Sequence, residues 1–79
     1  MGVDQATQEL IDMLTLLYAP PVPITPETTL ADMEIDSLEL VEIQLLIEDR
    51  FDVPESVDYA DEPGLTIKAI AEKVVANQN

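Results

Sequence analysis

Neither cysteine nor histidine occurs in the 79 residues. The chain therefore has no thiolate to attack a substrate or bind a metal, and it lacks the commonest general base. No base, metal set or nucleophile pair can be assembled from what remains, so an enzyme in its own right is not expected. Two constellations could still do chemistry. Asp32, Glu34 and Asp36 alternate like the start of a calcium-binding loop. That motif requires glycine at its sixth position and glutamate at its twelfth, where this chain has Ser37 and Ile43, so a dedicated calcium site is not expected, although loose divalent binding among these acids would relieve repulsion. The other constellation is Asp36-Ser37-Leu38-Glu39, a hydroxyl directly behind a strong helix cap. Asp36 with Glu39 three residues later forms a capping-box pattern. Ser37 then falls in a first helical turn, where free amides and the helix dipole favour a phosphate group. At a loop–helix junction its hydroxyl should be exposed. Taken alone, this is only a capped helix that begins with serine.

The elements that must hold Ser37 read as all-α. A first helix is expected from about Asp4 to Tyr18, with Asp4 as cap and Leu10, Ile11, Leu14, Leu17 and Tyr18 on one apolar face. Ala19-Pro20-Pro21-Val22-Pro23 stops it, because proline lacks the amide donor. A long connection follows to about Ile35, with a turn at Thr25-Pro26-Glu27. Leu30, Met33 and Ile35 are spaced to enter the core, which makes this a packed crossover. A second helix is expected from about Ser37 to Phe51, ended by Val53-Pro54, and a short helical turn between Ser56 and Asp61. After Pro63-Gly64, Thr66 caps a last helix to about Ala76, with Ile67, Ile70 and Val74 buried and Lys73 near the favourable end of its dipole. One domain over residues 1–79 is expected, a small three- to four-helix bundle with a long loop between its first and second helices.

The second helix carries two apolar stripes. Leu40, Ile43, Ile47 and Phe51 form one. Leu38, Val41 and Leu45 form another, interleaved with Glu39, Glu42, Glu48 and Asp49. A small bundle can bury one stripe. The second suits a partner whose apolar groove is rimmed by Arg and Lys, unless it packs under the loop or the short third helix. Leu46 is assigned to the core on either reading. Seventeen acids against three bases give a net charge of −14. That charge argues against nucleic acid and anionic membranes, and it favours basic protein partners. No apolar run reaches the length of a membrane span, and the N-terminus does not read as a signal peptide, so a cytoplasmic monomer is expected.

At Asp36-Ser37-Leu38 the sequence resembles the acyl carrier protein family. The wider likeness runs from Thr29-Leu30 through Asp36-Ser37-Leu38-Glu39-Leu40-Val41-Glu42 to Glu48-Asp49-Arg50-Phe51-Asp52-Val53, and the order of elements agrees over the full length. The resemblance implies that Ser37 is esterified by phosphopantetheine, delivered from coenzyme A by a phosphopantetheinyl transferase. It also implies that Asp36 helps orient the transferase's magnesium-bound coenzyme A. The arm's thiol would hold acyl groups as thioesters, so the chain itself needs no cysteine. Partners would be acyltransferase-, ketosynthase- or ligase-type enzymes of fatty-acid, polyketide or related biosynthesis. A peptidyl, aryl or D-alanyl carrier would share the arm, and an unmodified acidic adaptor would share only the helices. The chain departs from the family at Glu34, two residues before the aspartate, where glycine is usual.

Overall fold

Each helix is limited by its ends. In the computed structural model, which describes residues 1–20, 23–55, 57–60, 62 and 64–78, α1 spans Val3–Tyr18, α2 Ser37–Phe51 and α3 Ile67–Asn77. The N-cap of α1 is Gly2 and not Asp4. Asp4 lies one residue inside the helix, where its carboxylate still complements the dipole. At the other end Ala19 turns left-handed (φ 41°) and its amide closes on the Thr15 carbonyl at 3.1 Å. Thr66 caps α3 through its hydroxyl, which accepts from the Ala69 amide at 3.1 Å.

These ends bring three apolar faces together. Leu10 and Leu14 of α1, Ile43, Ile47 and Phe51 of α2, and Ile67, Ile70 and Val74 of α3 are all buried, and α1 packs along α3. Thr7 enters the same interior because its hydroxyl donates to the Val3 carbonyl at 2.7 Å. The spacing places Leu17 on this apolar face. It lines an open groove against Leu46, however, and stays about half exposed. Leu46 is likewise only half-buried, which corrects its assignment to the core.

The long connection is a structural element in its own right. Ile24, Leu30, Met33 and Ile35 are buried, and a 3-10 turn at Ala31–Met33 breaks the segment. The turn at Pro26-Glu27 closes by Thr28 N–H donating to the Thr25 carbonyl at 3.1 Å. Two carbonyls of the loop then serve α3, whose first amides lack intrahelical acceptors. Ile67 N–H donates to Thr28 at 2.9 Å and Lys68 N–H to Pro26 at 3.0 Å. The loop that leads to Ser37 is thus fixed to the start of the last helix.

The region after α2 differs from expectation. Residues 57–60 form bends and no helical turn, while Ser56 and Asp61, the expected ends of that turn, lie outside the described residues. Side chains replace helical bonding here. Lys73 sits ahead of the last turn of α3 and donates Nζ to the Asp58 carbonyl at 3.1 Å.

Candidate functional site

Ser37 is the first residue of α2 and is exposed. Its placement follows from the capping box read in the sequence. Asp36 Oδ1 accepts the Glu39 amide at 2.8 Å, and Glu39 Oε1 accepts the Asp36 amide at 3.2 Å. Leu40 N–H finds the Asp36 carbonyl at 3.0 Å. Among the described residues, the amides of Ser37 and Leu38 have no protein acceptor. They face the solvent at the positive end of the helix dipole. Free amides at this end of the dipole favour an anionic ester.

The loop reaches this junction through Glu34, which is left-handed (φ 59°) and donates its amide to Ala31 at 3.0 Å. The backbone therefore takes the conformation that glycine favours, although the side chain is glutamate. Glu34→Gly should relieve about 0.5–1 kcal/mol of steric cost and raise the melting temperature by a few degrees. Glu34→Ala separates the causes, since alanine removes the charge and keeps the strain. An equal gain from alanine would refute the conformational account.

Asp32 and Asp36 each accept a backbone amide. Asp32 lies within the 3-10 turn and its Oδ2 accepts the Thr29 amide at 3.0 Å, while Asp36 caps α2. Among the described residues no three acidic side chains gather as metal ligands.

Beside Ser37 lies an open, mainly apolar groove of about 330 Å³, lined by Ser37, Leu40, Val41, Gln44, Asp58 and Ala60. Gln44 builds its far wall. Its Nε2 donates to the Val57 carbonyl at 2.7 Å and to Glu48 Oε2 at 2.8 Å, and its Oε1 accepts from the amides of Tyr59 and Ala60 at 2.7 and 3.2 Å. One amide side chain thus binds residues 57–60 to α2. Tyr59, wholly buried, secures the same segment by donating its hydroxyl to the Pro54 carbonyl at 3.0 Å. The sequence reading overlooked both residues. The signal for Gln44 was a lone neutral amide among the Leu and Glu residues of α2.

The second stripe of α2 is open. Leu38 is 80% exposed, Val41 60% and Leu45 59%, so packing under the loop or a third helix does not occur. Glu42 and Asp49 are exposed beside them, while Glu39 and Glu48 are half-buried and bonded to Asp36 and Gln44.

Tyr18 ties α1 to this acidic surface by donating to Glu42 Oε1 at 3.4 Å. Burial, then the carboxylates of Glu42, Glu39 and Asp36, push its phenol from 10.0 up to about 12. The folded state therefore holds this proton more tightly than the unfolded one. The resulting stability is complete below pH 10 and is lost as pH rises through about 12. The difference between ultraviolet titrations of the wild type and Tyr18→Phe should place Tyr18 above the usual tyrosine range. Glu42→Gln should move it back down, and a titration at the ordinary value in the folded chain would contradict the contact.

The sequence model of the phosphopantetheine attachment site family matches residues 9–74, and the chain belongs to that family. Its members are carrier domains with a covalently attached phosphopantetheine group. Neither the curated proteins nor the solved structures offer a significant match. No helix among the described residues is long and apolar enough to cross a membrane.

Proposed function

We propose that the chain is an acyl carrier, with the phosphopantetheine arm on Ser37. The observation that carries the reading is an exposed serine heading a doubly capped helix, at the mouth of an apolar groove. The arm supplies a terminal thiol on which acyl groups travel as thioesters. The chain's own residues position and present it. Asp36 fixes the first turn and helps orient the transferase's coenzyme A. The free amides of Ser37 and Leu38 receive the phosphodiester.

Leu38, Val41 and Leu45, flanked by Glu39, Glu42, Glu48 and Asp49, form the surface that partners read. Those partners are a phosphopantetheinyl transferase and acyltransferase-, ketosynthase- or ligase-type enzymes with basic docking patches, in fatty-acid, polyketide or related biosynthesis. The acidic second helix favours an acyl cargo over a peptidyl, aryl or D-alanyl one. A cytoplasmic, monomeric and non-catalytic carrier fits the charge and the missing catalytic side chains.

The test offers the arm-bearing protein to two loading systems. One is an acyltransferase that uses coenzyme A thioesters; the other is an adenylating ligase for amino or aryl acids. Thioester formation with the first supports the acyl reading. Loading by the second alone would make the chain a peptidyl or aryl carrier.

A further inference from the structure

α1 and α2 meet on a surface that the proposed carrier role uses only at its border, Asp49. Met13, Leu16 and Leu17 of α1 and Leu46 of α2 line an open groove of about 300 Å³. Leu16 is 86% exposed, the highest exposure of any large apolar side chain in the described chain, and Leu17 is 48% exposed. A surface that leaves such side chains in water gains by being covered.

The position of this groove separates it from the Ser37 site. Leu46 follows Ser37 by nine residues, which at 3.6 residues per turn places it about 180° around the α2 axis. An occupant of the groove would leave Ser37 and its neighbouring groove uncovered. Asp49 marks the border with the Leu38-Val41-Leu45 stripe, since it lines both this groove and the depression beside Leu45 and Glu48. The two apolar surfaces are therefore distinct and divided by carboxylate.

Charge selects the occupant. Asp12 and Asp49 stand in the lining and Arg50 is its one cation, within a chain of net charge −14. A second copy would bring the same charge against it, and an anionic lipid surface would also be repelled. We propose that the α1–α2 groove is a second docking surface that takes a cationic amphipathic helix from a partner protein. Leucine-type side chains of that helix would fill the groove, and its Lys or Arg residues would meet Asp12 and Asp49. The partner would hold the domain by this face while the Ser37 side remains accessible. The inference is independent of whether Ser37 is modified, and the unmodified protein serves for its test.

The probe is a synthetic peptide with leucines at i, i+3, i+4 and i+7 and lysines elsewhere. Amide shifts of the labelled protein map its contact, and a scrambled peptide of the same composition is the control. The expected result is shifts centred on Met13, Leu16, Leu17 and Leu46, with the scrambled peptide clearly weaker. Leu16→Gln should weaken binding by about fivefold or more, as for a residue near an interface centre. Leu16→Lys should weaken it further, and Leu38→Gln should leave it unchanged. Either Leu16 variant suffices if the other misfolds.

Shifts centred on Leu38, Val41 and Leu45, or equal binding of the scrambled peptide, would overturn the proposal. So would a doubled mass in light scattering that Leu16→Gln abolishes, which would make the occupant a second copy. Leu16-dependent binding to phosphatidylcholine vesicles without peptide binding would also reject it, in favour of a lipid surface.

Discussion

Tyr59→Ala is expected to bring the domain close to unfolding at room temperature. Tyr59 is the largest wholly buried side chain, and its hydroxyl and amide anchor the segment after α2 to Pro54 and Gln44. Truncating a buried aromatic costs about 3–5 kcal/mol through lost burial and the cavity left behind. A domain of this size has about 4–12 kcal/mol in total. Tyr59→Phe keeps the ring and removes only the bond to Pro54, so it should cost about 1 kcal/mol and lower the melting temperature by about 4–8 °C. Denaturant melts of both variants measure the two contributions. A Tyr59→Ala protein as stable as its phenylalanine counterpart would show that the ring is not part of the core.

A second large effect is expected on recognition, with little on folding. Leu38→Ala combined with Leu45→Ala should lower kcat/KM for the phosphopantetheinyl transferase by about tenfold or more, at about 1 kcal/mol for each truncated contact. Both side chains are more exposed than buried, and alanine is the best helix former. The melting temperature should therefore change little. Glu42→Ala should act differently, slowing encounter and flattening the dependence on salt. A double alanine variant with wild-type kinetics would remove the α2 stripe from the account of docking.

How far the sequence foretold these features depended on the range of the interactions behind them. α2 could be bounded from Ser37 to Phe51 because its capping box lies within four residues and its apolar row repeats along one axis. Thr66 and the packed character of the loop were legible for the same reason. Exposure of Leu38, Val41 and Leu45 followed from counting stripes against available neighbours. Gln44 was illegible because its partners, Val57, Tyr59 and Ala60, lie 13–16 residues away. A segment held by a side chain has no helical period, so the expected turn between Ser56 and Asp61 was inferred from flanking breaks alone. Leu46 was sent to the core by its hydropathy, whereas the open seam between α1 and α2 depends on how two distant helices meet. Glu34 marked a departure from the family pattern without giving its outcome. The 3-10 turn before it, closed onto Ala31, holds it left-handed despite the side chain.

The central functional claim is that Ser37 carries the arm. Its most direct test is the intact mass of the purified apo-protein after incubation with coenzyme A, magnesium and a broad-specificity phosphopantetheinyl transferase, beside that of Ser37→Ala. The account predicts a gain of one phosphopantetheine group by the wild type and none by the variant. A gain in both, or no gain by folded wild-type protein with several transferases, would contradict it.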